Sequence, residues 1–239
     1  MNRTVLKSAI DTTQRAQRNY DLSKSVPLTD LDTLIHAAVN SPSKQNETHY
    51  ALHVYTDTDI IKKVYNCTKK FTLASQTDKT NYGVDDSGVF WQNDTLSVKN
   101  SQILANALFV YEEDLGPARG YTHQAGQESL GNASILYKEQ IAYSIGISVG
   151  ELILSASLLG YKTGICSAMD DLAIKKVLGT TNVPKLLVGI GYDNPGTDRR
   201  QHAEVLNKDV PENNRTGEMN EKWKFPSFEK SIKVKINGN

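Results

Sequence analysis

One long apolar segment constrains the fold of this chain more than any other feature. Residues 141–170 read IAYSIGISVGELILSASLLGYKTGICSAMD, and their apolar side chains recur at three- and four-residue steps, the period of an α-helix with one buried side. Gly146 and Gly150 stand one turn apart, where each costs about 1 kcal/mol of helix stability relative to alanine, so we expect another backbone to pack against them. Gly160 predicts a left-handed helix terminus. We therefore predict a central core helix, followed by a turn at residues 163–168.

The same segment is a poor candidate for a membrane span. Tyr143, Glu151 and several serines interrupt its apolar run, whereas a span needs about 20 predominantly apolar residues. The N-terminus has no apolar core of signal-peptide length, and the net charge is zero, so neither secretion nor a nucleic-acid partner is indicated. Cys67 and Cys166 lack metal-ligand spacing. A disulfide is possible, but reduced thiols in a cytoplasmic protein are favoured.

The remaining segments alternate between helical and strand patterns. We predict helices at residues 3–17, from a cap at Thr29 to a loop at 41–46, at 59–67, and from a cap at Asp171 to Gly179. Strands are predicted at residues 50–55, 103–111 and 185–192, and the last of them, a continuous apolar run, suits the middle of a sheet. The alternating tail 231–236 predicts a strand added to another subunit. The chain, 1–239, is predicted to be a single α+β domain.

A long polar stretch separates the strand at 103–111 from the central helix. Residues 112–132 contain glycine and proline and carry Tyr121 and His123. Because long excursions in compact domains are often functional, this segment is a candidate lid, with Tyr121 and His123 as hypothetical substrate contacts.

No set of catalytic side chains stands out in the sequence. Nucleophile, phosphate-loop and zinc-binding motifs are absent, and the five histidines are scattered. Arginines do recur near both ends of the chain, namely Arg15, Arg18, Arg199 and Arg200. They are either a solvated helix end and a solvated loop or, if the fold joins them, a phosphate site. The second arrangement suits a protein that holds a phosphorylated cofactor and lets it do the chemistry.

Four landmarks, in this order, resemble one known family. They are the cationic cluster at 14–20, the loop Ser41-Pro42-Ser43-x-x-Asn46 before a strand, the helix end and turn at 158–170, and Val188-Gly189-Ile190-Gly191-Tyr192 with Arg199-Arg200 beyond it. Their combination is similar to the FMN-dependent nitroreductase family. The resemblance implies a three-layer sandwich with a mixed four- or five-stranded, antiparallel-type sheet flanked by helices. It also implies a homodimer with two FMN sites at the interface and a C-terminal arm, 201–239, that wraps the partner.

The resemblance assigns cofactor contacts position by position. Arg18 would face the N1–O2 edge of the flavin, Arg199 and Arg200 would bind its phosphate, and the backbone N–H groups of Ser167 and Ala168 would approach its N5. The further contacts that the resemblance implies are Gln14, Arg15 and Ala16 in the N-terminal cluster, Pro42, Ser43 and Asn46 from the other subunit, and Asn100, Ser101 and Gln102 near the pyrimidine ring. Gln14 and Ala16 depart from the Arg and Ser of the family cluster.

The family also implies a reaction. NADH or NADPH would reduce FMN, which would then reduce a nitroaromatic, a quinone or a similar small acceptor by a ping-pong mechanism. Two alternatives remain open: other flavin chemistry on the same fold, such as reductive dehalogenation or flavin reduction or breakdown, and a non-catalytic flavin-binding protein. The sequence does not identify the nucleotide or the acceptor.

Overall fold

The computed structural model describes residues 2–43, 46, 48–69, 71–74, 95–114, 133–203, 232 and 234–235, and of 71–74, 95–97 and 133–138 only the backbone. The elements follow one another as α1 (Arg3–Thr13), α2 (Leu28–Val39), β1 (Tyr50–Tyr55), α3 (Thr58–Asn66), β2 (Phe71–Ala74), β3 (Thr95–Val98), β4 (Ala107–Glu113), α4 (Ala133–Leu158), β5 (Lys162–Cys166), α5 (Asp171–Leu178) and β6 (Pro184–Gly191). A short 3₁₀ helix, Ser101–Ile103, precedes β4.

The main sheet has four strands in the order β1-β4-β6-β5, and all three of its pairings are antiparallel. The expected α+β fold is therefore confirmed, with β6 inside the sheet as predicted. The sheet was expected to be mixed, with four or five strands, and its four described strands pair only in the antiparallel sense. Alternate side chains of β4 point to two cores: Phe109 and Tyr111 pack with α2 and α4, while Leu108 and Val110 pack with α3 and α5. Strands β2 and β3 form a separate antiparallel pair.

Helix α4 is the central core helix that the apolar period predicts. Ile145, Val149, Leu152 and Ala156 are all buried against the sheet and α2. By length and composition alone, Glu139–Leu158 could cross a membrane. Its burial against the sheet and α2 instead marks it as the core helix of a folded domain.

The opposite side of α4 lacks the close contact expected at its glycines. A Cβ atom added at Gly146 or Gly150 would meet no atom within 4 Å in the part of the chain that the structure describes. Tyr143 and Ile147 on the same side are 63% and 44% exposed. The predicted close backbone packing against these glycines is thus absent among the described residues.

The predicted turn at 163–168 is wrong for most of its length. Residues Lys162–Cys166 form β5, which pairs with β6 from Lys162 opposite Gly191 to Cys166 opposite Leu187. Its short, glycine-containing sequence carries little strand signal, and the pairing with β6 decides the conformation because strand preference depends strongly on context. Only Ser167 and Ala168 remain outside the strand.

Several predicted element ends shift in the structure. Helix α1 ends at Thr13, with Gln14 as the C-cap whose N–H donates to the Asp11 carbonyl at 3.4 Å, and β4 starts at Ala107 because residues 101–103 form the 3₁₀ helix. Pro27, not Thr29, occupies the N-cap of α2. Asp170, not Asp171, caps α5 by accepting from the Ala173 amide at 2.9 Å. Gly160 has φ of +90°, so the left-handed end predicted there is confirmed, and Gly179 ends α5 in a left-handed conformation as well, with φ of +66°.

Two sequence-based predictions fall largely outside the described residues. The candidate lid 112–132 is described only as far as Asp114, and its predicted start is wrong, because Glu112 and Glu113 are the last residues of strand β4. Tyr121 and His123 lie outside the description. Of the arm 201–239, only residues 201–203, 232 and 234–235 are described. Ile232 and Val234 are exposed and lie in no strand, so the terminal strand at 231–236 stays a prediction.

Candidate functional site

The fold brings the two arginine-rich segments together. Beside β5, the Gln17 N–H donates to the Thr163 carbonyl at 2.8 Å. Next along the chain, the Arg18 N–H donates to the Arg199 carbonyl at 3.0 Å, and the Ala203 N–H donates to the Arg18 carbonyl at 3.2 Å. The segment carrying Arg18 is therefore held between β5 and the segment carrying Arg199.

Asn19 explains why the C-terminal segment returns to this position. Its buried side-chain amide donates to the carbonyls of Asp198 at 2.9 Å and Gln201 at 2.7 Å, and its Oδ1 accepts from the Thr197 hydroxyl at 2.8 Å. Because buried backbone carbonyls need hydrogen-bond partners, one Asn side chain fixes residues 197–201 against residues 17–20. Sequence separation alone gives no hint of this contact.

Arg18 is a partly buried cation in contact with Gln102. The Arg18 Nη1 donates to Gln102 Oε1, and the Gln102 Nε2 donates to the Ile165 carbonyl at 2.9 Å. Burial lowers the pKa of Arg18 to about 10, so its guanidinium remains charged at neutral pH. A positive charge is thus held beside strand β5.

The turn that carries Gln102 packs directly against the backbone of two glycines, Gly164 in β5 and Gly189 in β6. A Cβ atom at Gly164 or Gly189 would collide with the Gln102 carbonyl oxygen. The buried Tyr20 hydroxyl donates to that same carbonyl at 3.0 Å, and burial raises the pKa of Tyr20. Glycine is required where two backbones approach this closely, so β5, β6 and the 101–103 turn form one rigid unit.

Asn100 connects the same turn to the end of β5. Its side-chain amide donates to the carbonyls of Lys69 at 3.1 Å and Ala168 at 3.3 Å, and the Lys69 N–H also donates to Ala168 at 3.0 Å. Ser167 and Ala168 are exposed, and neither backbone N–H donates a hydrogen bond within the described ranges. These two amides at the end of an edge strand are available to an external acceptor.

The arginines at the other end of the site differ in their surroundings. Arg200 is paired with Asp198, Nη2 to Oδ2 at 2.8 Å and Nε to Oδ1 at 3.2 Å. Arg15 and Arg199 make no ion pair with a described acidic residue. Burial, followed by the neighbouring Arg15 guanidinium, lowers the pKa of Arg199. The Asp198 and Asp193 carboxylates act in the opposite direction on the same pKa, so this end of the site carries basic and acidic groups together.

Comparison with protein families identifies the family to which the chain belongs. The model of the Nitroreductase family matches residues 12–192, which include every element from α2 to β6 and the Arg18–Gln102–Ile165 contacts. The chain belongs to the nitroreductase family. Membership in this family makes it an oxidoreductase, and the recognition from the four landmarks is confirmed. No curated protein sequence matches the chain.

Solved structures of nitroreductase-like proteins share the fold at low sequence identity. A nitroreductase family protein from Clostridium novyi NT is 16% identical, covers 82% of this chain and 89% of its own, and has a TM-score of 0.52. A Staphylococcus epidermidis protein named, provisionally, as an NAD(P)H:FMN oxidoreductase is 16% identical over 87% and 94%, with a TM-score of 0.54. The hypothetical oxidoreductase YcnD from Bacillus subtilis is 19% identical over 84% and 68%, with a TM-score of 0.55.

Some predicted contacts of this nitroreductase lie together and others do not. Arg18 is hydrogen-bonded to the Gln102 side chain and, through its carbonyl, to the Ser101 hydroxyl. Gln102 and Asn100 in turn donate to the carbonyls of Ile165 and Ala168, at and just beyond the end of β5. Gln14 instead binds Asp11 on its own helix at 2.9 Å and is exposed, and Ala16 is half-buried. The structure therefore gives no support to Gln14 as part of the cluster.

The loop that carries Pro42, Ser43 and Asn46 stands apart from the arginines. In the described part of one chain, no hydrogen bond or ion pair joins it to Arg15, Arg18 or Arg199. Asn46 has φ of +59°, a left-handed conformation that Asn tolerates. The Ser43 hydroxyl is buried without a hydrogen-bond partner among the described residues. The contact of this loop with the flavin of a second subunit stays a prediction.

Three residues of the site were missed by sequence reasoning. Gly164 and Gly189 make room for the 101–103 turn, and Tyr20 holds its carbonyl. Glycines inside a run that otherwise reads as a strand often mark close approach of another backbone, so KTGIC and LLVGIGY carried a usable signal for the glycines. Nothing local singles out Tyr20.

Both cysteines are free thiols, as the favoured prediction has it. Burial raises the pKa of Cys166, which opposes thiolate formation and agrees with an inert core thiol. No group of His, Cys, Asp or Glu suited to a metal occurs among the residues that the structure describes.

Proposed function

We propose that this nitroreductase binds FMN and uses it to transfer electrons from NADH or NADPH to a small acceptor such as a nitroaromatic or a quinone. One observation carries the proposal. The Arg18 guanidinium and the exposed Ser167 and Ala168 amides belong to one hydrogen-bonded unit built on β5. A flavin needs a cation near N1–O2 and amide donors along its edge, and this unit offers both kinds of group.

The remaining groups fit a flavin phosphate. Arg15 and Arg199 are neighbouring cations, and each lacks an ion pair with a described acidic residue. An arginine fork matches phosphate oxygens. Arg200 is shared with Asp198, so we assign the main phosphate contacts to Arg15 and Arg199 and a weaker contact to Arg200.

When bound, FMN would supply the redox chemistry, accepting two electrons from the nicotinamide and passing them to the second substrate. The protein's own groups would bind and orient the flavin. Arg18 would stabilise its negative charge, Asn100 holds the Ala168 peptide in place, and Gly164 and Gly189 let the turn that carries Asn100 and Gln102 pack against β5 and β6. No described side chain is placed as a general acid, so water would supply the protons.

Turnover measures the proposed reaction directly. We expect the FMN-loaded protein to oxidise NADH or NADPH with a quinone or a nitroaromatic acceptor, and double-reciprocal plots at several acceptor concentrations to be parallel, because both substrates use the same site in turn. Reduction of the bound flavin without transfer to any acceptor would contradict the enzyme proposal and leave a flavin-binding protein.

We propose that the protein is a cytoplasmic homodimer whose subunits meet along the exposed side of α4. This side carries Ala142, Gly146 and Gly150, all exposed, together with Tyr143 and Ile147. Small residues at four-residue spacing let a second helix approach closely. A partner helix there would supply the close packing that the described residues of one chain do not provide, and a partner's 41–46 loop would complete the site.

A charge placed on this face tests the dimer. We expect Ile147→Glu to convert the protein to a monomer in sedimentation or light scattering and to lower FMN affinity at least tenfold, because a buried unpaired carboxylate opposes association. Leu172→Glu is the control, since Leu172 is exposed on α5, away from α4. A monomeric wild-type protein, or an unchanged dimer with Ile147→Glu, would contradict the proposed interface.

A further inference from the structure

We propose that Gln102 is a positioning residue that holds the Arg18 guanidinium in place and acts on the flavin through that arginine, not by direct contact. This inference rests on the proposed FMN site. It departs from the role implied by the family resemblance, in which Gln102 lies near the flavin pyrimidine ring.

The chemistry of its two neighbours fixes the orientation of the Gln102 amide. Arginine can only donate hydrogen bonds and a backbone carbonyl can only accept them. The Gln102 oxygen must therefore face Arg18, and its NH₂ group must face the Ile165 carbonyl, as observed. A flipped amide would set donor against donor and acceptor against acceptor. Both polar groups of the Gln102 amide are therefore hydrogen-bonded within the protein.

The backbone of Gln102 is held by close contacts. Its carbonyl oxygen lies so near Gly164 and Gly189 that a Cβ atom at either would collide with it, and it accepts from the Tyr20 hydroxyl at 3.0 Å. Gln102 is only 8% exposed. A side chain that starts from a fixed backbone and is bound at its far end is a rigid support for whatever it contacts.

Arg18 needs such a support because its backbone alone does not fix its charge. The Arg18 carbonyl accepts from the Ser101 hydroxyl at 2.7 Å and the Ala203 N–H at 3.2 Å, which locks the main chain. The side chain beyond it is long, and arginine has about 2 kcal/mol of rotamer entropy. Gln102 bridges the guanidinium to β5, the strand that ends at the Ser167–Ala168 amides.

The first experiment examines Arg18 in the absence of flavin. In the ¹⁵N-labelled apoprotein we expect resolved, slowly exchanging guanidinium signals for Arg18, assigned by their loss in Arg18→Met. Gln102→Met keeps the length of the side chain but removes both hydrogen bonds, and it should broaden or average these signals. Unchanged signals in Gln102→Met would overturn the positioning role, whether or not the protein binds FMN.

The second experiment is a double-mutant cycle with FMN affinity and flavin midpoint potential as readouts. We expect Gln102→Met to weaken FMN binding about tenfold, as loss of one hydrogen bond to a charged group does, and to lower the midpoint potential. In an Arg18→Met background the same substitution should change FMN affinity less than twofold and leave the potential unmoved.

The outcomes separate the inference from the proposed function. Equal effects of Gln102→Met in both backgrounds would show that Gln102 contacts the flavin itself and would overturn the inference, and so would no effect in either. A loss of stability alone, with the potential of bound flavin unchanged, would also overturn it. If wild-type protein binds no FMN, the proposed function fails along with the flavin part of the inference, while the apoprotein signals still decide whether Gln102 positions Arg18.

Discussion

Arg18→Met is expected to lower FMN affinity by roughly 100-fold. Arg18 is a cation desolvated by burial, and removing a charge-assisted hydrogen bond costs about 2–3 kcal/mol, which converts to a factor of roughly 30 to 150 in Kd. The midpoint potential of the remaining bound flavin should fall, because the reduced form carries the negative charge that Arg18 stabilises. Fluorescence titration of the apoprotein with FMN measures the affinity.

Arg3→Met is the matched control for this substitution. Arg3 is exposed in the first turn of α1, so its loss removes the same charge without touching the site. Wild-type affinity in Arg18→Met, or an equal loss in Arg3→Met, would mean that Arg18 has no specific part in binding.

Gly189→Ala is expected to destabilise the protein by about 2 kcal/mol and to weaken FMN binding. The new Cβ would collide with the Gln102 carbonyl and lie 2.9 Å from the Ile103 Cα. These are backbone atoms, which cannot move aside as the end of a flexible side chain can. Overpacking a rigid site costs about 1–3 kcal/mol. Urea unfolding and FMN titration measure the two effects.

The sign of the stability change in Gly189→Ala distinguishes steric collision from the entropic benefit of replacing glycine. In a strand without steric conflict, alanine is more favourable than glycine, because glycine loses more backbone entropy on folding. A stabilised Gly189→Ala protein would therefore show that the 101–103 turn does not press on β6. Lys162→Ala, at a half-buried position on the neighbouring strand β5, is the control and should change the free energy of unfolding by less than about 0.5 kcal/mol.

Much of the fold was predictable because its main elements are long apolar runs or repeat apolar residues at a regular period. Strands β1 and β6 match the expected ranges to within one residue, whereas α4 covers the predicted apolar segment from residue 141 but begins earlier, at Ala133. Strand β5 was missed, because KTGIC has no such period and becomes a strand by pairing with β6. The predicted cap of α5, Asp171, lies one residue after the observed cap, because the carboxylate of Asp170 is the one that accepts from the Ala173 amide.

The sequence indicated several residues of the site but not the contacts that join them. Arginines at both ends of the chain suggested a phosphate site, and Asn19 brings them together through contacts with residues 198 and 201. Asp198 lies two residues before Arg200, so their ion pair was visible locally. The link from Arg18 through Gln102 to Ile165 spans three distant segments, and no local pattern encodes it.

Titration of the purified apoprotein with FMN, followed by visible absorption and fluorescence quenching, tests the central claim most directly. We expect saturable binding of one FMN per chain, with the flavin bands shifted from those of free FMN. A protein that leaves the FMN spectrum and fluorescence unchanged at all concentrations would contradict the assignment of Arg18, Ser167 and Ala168 to a flavin site.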